Sequence, residues 1–262
     1  MKKYLVIGNP IEHSLSPKLH NYWFKTHNIK AIYEKKKVSN NEIKNLISSI
    51  KDKKISGINV TVPYKKDVIS YLDHLSPEAK ETQSVNTISL KDDMIVGHNT
   101  DISGFELSIR HAQIDLKDKK IFILGAGGVV SSIIYALKKF QVSKIAISNR
   151  TKNKAEDLKK VFKDLEIVKW GETVNFDMII NATSIGLNNN DEIGLDLSKI
   201  KNKIFYDVIY NPAETHFLKS GKKFGNNILN GKMMFIYQAH SAFNLWHEIK
   251  PEINHEVIEL LD

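Results

Sequence analysis

A short apolar strand that runs straight into a glycine turn and then a helix constrains a chain more than any other local pattern. Residues 120–151, KIFILGAGGVVSSIIYALKKFQVSKIAISNRT, carry one. Residues 121–124 are too few for a helix and suit a buried strand. Gly125-Ala126-Gly127-Gly128 follows at once, and Val130, Ile133, Ile134 and Leu137 then recur at helical spacing. Lys144–Ser148 is a second apolar strand. The stretch reads as a βαβ unit whose glycine turn lets a dinucleotide pyrophosphate approach the backbone and meet the N–H groups of a helix N-terminus. Roughly 20 residues beyond the glycines, an NAD site carries a carboxylate for the ribose 2′-hydroxyl. Here that place holds Ser148-Asn149-Arg150-Thr151, followed by Lys152 and Lys154. No acid is present to repel a 2′-phosphate, and the forked guanidinium of Arg150 can grip one, so the pattern favours NADP over NAD. The competing reading is a glycine turn in an α/β domain that binds no phosphate, with a basic surface after it.

The 262 residues suffice for one large domain or two ordinary ones. There is no cysteine, which removes disulfides and thiol chemistry. The N-terminal MKKYLVIGNP has too short an apolar run for a signal peptide, and no later run approaches the roughly 18 apolar residues of a membrane span. A soluble cytoplasmic protein with no membrane partner is expected. The net charge of +8 could serve nucleic acid. The lysines are dispersed over polar helix faces, however, and compositional drift explains them better, so no nucleic-acid partner is expected. No histidine spacing suggests a metal site.

Ahead of the βαβ unit, the pattern predicts strands at 3–7, 31–38, 55–62, 85–90 and 94–97. It predicts helices N-capped by Ser16 with Pro17 first, at 41–50, opening at Lys65, at 73–84, and after Asp101 to about His111. Downstream come helices at 154–163 and 215–224, and strands at 167–168, 178–181, 204–208 and 227–229. Two last helices, 233–246 and 252–261, lie beyond the final strand. The expected fold is α/β with two domains. Residues 1–101 plus 233–262 form an N-terminal α/β substrate domain, to which the C-terminal helices return, and 102–232 form a Rossmann-type nucleotide domain.

Ser14, Ser16, Asn59, Thr61, Lys65, Asn86, Asn99 and Asp101 fall at strand ends in the first half. Each has a plain structural reading: Ser16 and Asp101 as helix caps, Lys65 with Lys66 as a solvated pair, Asn86 as a turn support. Gathered at one edge, their hydroxyls and amides would suit a polyhydroxylated small molecule. Lys65 with Asp101 would make an ion pair fit for proton transfer.

With these residues in view the chain resembles the shikimate dehydrogenase family, NADP-dependent oxidoreductases of chorismate and aromatic amino-acid biosynthesis. The resemblance runs nearly end to end. GNPIEHSLSPKLHN resembles the family's opening motif and implies Ser14 and Ser16 as substrate contacts. GINVTVPYK implies Thr61 on the substrate, with Asn59 beside it, and Lys65 as the catalytic lysine. SVNT implies Asn86, and GHNTD implies Asp101 as the lysine's partner. GAGG, continuing to Val129, and SNRT, continuing to Lys154, resemble the cofactor motifs. NATSIG implies Thr183 beside the cofactor. YDVIYNP implies Tyr210 on the substrate and Val208 beside the nicotinamide. GKMMFIYQA implies Gly231 near the cofactor and Gln238 on the substrate.

Four departures stand out. Ile102 follows Asp101 where the family has glycine, and Val130 occupies the third glycine-equivalent position. Lys154 replaces an arginine, keeping charge but losing bidentate geometry. Met233 stands where glycine is common. They bear on cofactor affinity more than on the reaction. The resemblance implies reversible reduction of 3-dehydroshikimate to shikimate, with a charged Lys65, held by Asp101, donating a proton to the developing alkoxide. A monomer or homodimer acting on a small molecule is expected. The alternatives are a quinate/shikimate dehydrogenase with broader substrate or NAD use, and a non-catalytic ligand-binding relative. The intact Lys65 and Asp101 argue against the latter.

Overall fold

The computed structural model describes residues 1–188 and 191–261. The chain divides into two compact units: Met1–Gly104 with the chain from Ile236 onward, and Phe105–Phe235.

The first unit opens with β1 (Lys2–Gly8), α1 (Ser16–Thr26), β2 (Ala31–Lys37), α2 (Asn40–Lys51) and β3 (Gly57–Val60). It continues with β4 (His74–Leu75), α3 (Pro77–Thr82), the hairpin β5 (Thr87–Lys91) and β6 (Met94–His98), and the start of α4 (Asp101–His111). The sheet order is β2-β1-β3-β5-β6-β4, parallel across β2, β1 and β3 and antiparallel from β3 to β5 and from β5 to β6. Helix α2 shows how sequence drives the packing. Ser39 and Glu42 form a capping box at its start, and Ile43, Leu46, Ile47 and Ile50 lie on one face and are all buried. Burying each contributes about 1.5–3 kcal/mol relative to leaving it exposed.

Four local expectations are corrected. Leu15, not Ser16, occupies the N-cap of α1, and no side chain caps that end. Ser16 is instead the first residue of the helix itself, and is buried. No helix opens at Lys65, because its carbonyl accepts from Val85 N at 2.8 Å and is lost to a helical turn. Only a five-residue 3₁₀ segment forms, Asp67–Tyr71. The polar stretch 73–84 is not one helix: His74–Leu75 pair with β6, and Pro77 with the Ser76 cap starts a separate six-residue helix. At the far end, Pro251 and the Asn254 cap confine α9 to His255–Glu259.

The second unit takes up the remainder of α4, then β7 (Lys120–Leu124), α5 (Val130–Lys139), β8 (Lys144–Ser148), α6 (Lys152–Val161) and β9 (Glu166–Val168). After these come β10 (Met178–Asn181), β11 (Ile204–Asp207), α7 (His216–Lys223), β12 (Asn227–Leu229) and the start of α8 (Lys232–His247). All six strands are parallel in the order β12-β11-β10-β7-β8-β9, a doubly wound Rossmann-type sheet. Residues 121–124 are fully buried, as a strand covered on both faces must be. Both divisions between the units fall inside helices, at Gly104/Phe105 in α4 and Phe235/Ile236 in α8. No helix among the described residues is long and apolar enough to cross a membrane.

Candidate functional site

The first unit gathers four of the predicted polar residues, Asn59, Lys65, Asn86 and Asp101, into one buried network. Lys65, delivered by the turn after β3, places Nζ 2.5 Å from Asp101 Oδ2. Asp101 is the first residue of α4, and its other oxygen, Oδ1, accepts from Asn86 Nδ2 at 2.9 Å. Both carboxylate oxygens are thus engaged by side chains. The pair is nearly closed to solvent, with side-chain exposures of 11% for Lys65 and 8% for Asp101. A lone buried charge would be strongly disfavoured, so each holds the other in place.

Asn86 is the hub. Its Oδ1 accepts from Thr100 N at 2.7 Å and from the hydroxyl of Thr87 at 3.1 Å. Its Nδ2 also reaches Thr100 Oγ1 at 2.9 Å. Asn59 on β3 donates through Nδ2 to Asn86 O at 3.0 Å and to Thr87 Oγ1 at 2.9 Å. Tyr33 on β2 donates to Asn59 Oδ1 at 2.6 Å. Ser14 Oγ accepts from Ser16 N at 3.3 Å, and Thr61 is half-buried just past β3. Asn99, buried, donates to Thr82 Oγ1 at 2.9 Å. Gln238 lies on α8 within the first unit, half-buried.

In the second unit the other predicted residues share the C-terminal edge of the parallel sheet. Gly125 follows β7 with φ +108, and a Cβ there would meet Ala182 O at 2.7 Å, so only glycine fits. Ala126, Gly127, Gly128 and Val129 complete the turn, and no side chain caps α5. Val130 is wholly buried as the first residue of that helix. Asn149, Arg150 and Thr151 follow β8; Arg150, Thr151 and Lys154 are exposed. Asn149 Nδ2 donates to Thr151 O at 2.7 Å, which shapes this turn. Thr183 follows β10, Val208 follows β11, and Gly231 approaches the Val208 backbone so closely that any side chain would collide. Tyr210 also belongs to this unit, its ring 4.5 Å from that of Phe235. Of the departures, Ile102 is buried in α4 and Met233 lines a cavity of about 370 Å³ beside Tyr206, Leu218 and Leu229.

Sequence reasoning missed a second buried cluster at this edge. Asp207 Oδ2 accepts from Thr215 Oγ1 at 2.6 Å, and Oδ1 from Ile209 N at 3.0 Å. Asn181 Nδ2 reaches both oxygens at 3.1 Å, while Asn181 Oδ1 accepts from Thr183. Burial pushes the Asp207 carboxyl up to about 6, against the pull of these donors. The cluster ties together the loops after β10 and β11. An acid ending the apolar run IFYD was the available signal, since a buried carboxylate demands partners. Tyr33 was missed as well, because an aromatic in a strand is ordinary. Among the described residues no His, Asp and Glu group could hold a metal ion.

Two family models match the chain. Residues 6–88 match the shikimate dehydrogenase substrate binding domain, and 106–189 match shikimate / quinate 5-dehydrogenase. The NADP(+) shikimate dehydrogenase of Pelagibacter ubique is 61% identical over all of this chain and 99% of its own length. The structure of shikimate dehydrogenase from Aquifex aeolicus superposes with a TM-score of 0.92 at 36% identity, covering 100% of this chain and 97% of that one. The Thermus thermophilus enzyme, solved with NADP(H) and shikimate, gives 0.88 at 27% identity, covering 100% and 98%.

Proposed function

Because this chain belongs to the shikimate dehydrogenase family, we propose that it catalyses the NADPH-dependent, reversible reduction of 3-dehydroshikimate to shikimate. The observation that carries this reading is the buried Lys65–Asp101 pair at 2.5 Å, in a wall of Asn and Thr side chains, in a chain that also holds a nucleotide-type glycine turn.

The second unit fits NADP on its own geometry. A cradle at Gly125 that a Cβ would fill, an α5 start with no side-chain cap, and exposed cations without an acid after β8 suit a pyrophosphate and a 2′-phosphate. The residues that would hold it are Gly125, Ala126, Gly127, Gly128 and Val129 at the pyrophosphate, and Asn149, Arg150, Thr151 and Lys154 at the 2′-phosphate. Thr183, Val208 and Gly231 would line the nicotinamide end. When bound, the reduced cofactor supplies a hydride to the substrate carbonyl.

On the substrate side, Ser14, Ser16, Asn59, Thr61, Asn86, Tyr210 and Gln238 would bind the polar groups of the ring. Lys65 would donate a proton to the oxygen that becomes an alkoxide, and take it back in the reverse direction. Asp101 keeps the ammonium in place, and Asn86 fixes Asp101. Residues 1–101 with 233–262 would form the substrate domain and 102–232 the cofactor domain.

The test is NADPH formation by purified protein with shikimate and NADP, with quinate and NAD as parallel substitutes. Turnover confined to shikimate and NADP is expected. Comparable turnover with quinate or NAD would move the chain to the broader dehydrogenases, and none with any pair would overturn the reading.

A further inference from the structure

We infer that Tyr33 is a positioning residue for the substrate site, and that His20 and Asn21 are built to hold it. This rests on the functional reading above and extends it to residues with no place in that mechanism.

The Tyr33 side chain is 1% exposed in the interior of the first unit. Its hydroxyl donates to Asn59 Oδ1 at 2.6 Å. One phenol on β2 therefore holds the amide that β3 contributes to the site. Through Asn59 it reaches Asn86 and Thr87, and through Asn86 the Asp101 that grips Lys65.

Tyr33 itself is clamped from two sides. The His20 ring stacks on it at a centroid distance of 4.3 Å with planes 2° apart. Asn21 brackets its backbone, donating to Tyr33 O at 2.8 Å and accepting from Tyr33 N at 2.9 Å. Two successive residues of α1 thus fix the face and the main chain of one tyrosine. The His20 ring makes no hydrogen bond through either nitrogen. Its contribution here is a flat stacking surface, not proton transfer. The arrangement fixes where the phenol oxygen sits, and with it the orientation of the Asn59 amide.

Tyr33→Phe removes only the oxygen. It leaves Asn59 Oδ1 without its donor. The expected result is a fall of about tenfold in kcat/KM for shikimate, carried mainly by KM, as for one lost buried hydrogen bond. KM for NADP should stay within twofold, which a generally loosened protein would not allow. In an Asn59→Ala background the same change should cost much less, because the group it orients is already gone. Asn21→Ala leaves every hydroxyl in place and should shift shikimate KM in the same direction, which covers the case in which Tyr33→Phe does not fold. Equilibrium binding of shikimate, measured alongside, gives the same ratios without turnover. A wild-type protein that binds shikimate but fails to turn it over would therefore count against the dehydrogenase reading, not against Tyr33. Shikimate KM and binding within twofold of wild type in both Tyr33→Phe and Asn21→Ala would overturn the inference, as would full additivity with Asn59→Ala.

Discussion

Lys65 and Asp101 carry the reaction in the proposed mechanism, and their burial makes them sensitive in different ways. Lys65→Ala removes the proton donor, and kcat should fall by about 10² to 10⁴, the range for a lost general acid. Shikimate KM should change much less, since the Asn and Thr wall remains. A variant with near-normal kcat and a large KM would show that Lys65 mainly binds. Asp101→Asn leaves the Lys65 ammonium buried without its counter-charge. Breaking such a pair from one side typically costs about 3–5 kcal/mol, so Asp101→Asn should melt well below the double variant Asp101→Asn/Lys65→Met, in which both charges are gone. Comparing the two melting temperatures checks this: equal values would mean that water reaches Lys65 freely.

The glycine turn between β7 and α5 and the Asn-Arg-Thr turn after β8 give cofactor binding an element-scale test. Arg150→Ala should raise KM for NADP about tenfold or more while leaving NAD use nearly unchanged, because only the 2′-phosphate would need the forked cation. Equal loss with both cofactors would place Arg150 elsewhere. How far these elements could be read from sequence depends on whether their cause is local. The βαβ unit was legible because strand length, glycine and helical periodicity all lie within one stretch. The breaks at Lys65 and in 73–84 were not. They follow from Val85 taking the Lys65 carbonyl and from β6 pairing with His74–Leu75, contacts made far along the chain. The Ser16 cap differs by one place, since the N-cap falls on Leu15 and Ser16 already belongs to the helix. The motif residues could be listed from the resemblance, but the hub position of Asn86, bonded to both Thr100 and Asp101, needed coordinates.

Across the whole molecule, buried ionisable groups in the two units respond to acid with opposite sign. In the first unit burial pulls His20 down to about 3, helped by neighbouring His247, and pulls His247 down to about 4, helped by Lys2 and His27. The unfolded chain therefore binds protons below about pH 6.5 that the folded unit refuses, and stability falls as pH drops from there toward 4. His20 is fully buried, so its slope approaches about 1.4 kcal/mol per pH unit; His247, partly exposed, adds less. In the second unit Asp207 is raised to about 6, so the folded state holds a proton that the unfolded chain releases, and this group adds stability as pH falls from about 6 toward 4. Between pH 6.5 and 4.5 the first unit should therefore lose its fold more readily. Trp23 and Trp246 lie in the first unit and Trp170 in the second, so single-tryptophan variants can report on each unit separately. Thermal melts at pH 7.0 and 4.5 should show the Trp246 signal falling by more degrees than the Trp170 signal. His20→Phe, which keeps a flat ring against Tyr33 but cannot take a proton, should narrow that gap. A gap that His20→Phe leaves unchanged would assign the acid sensitivity to other groups.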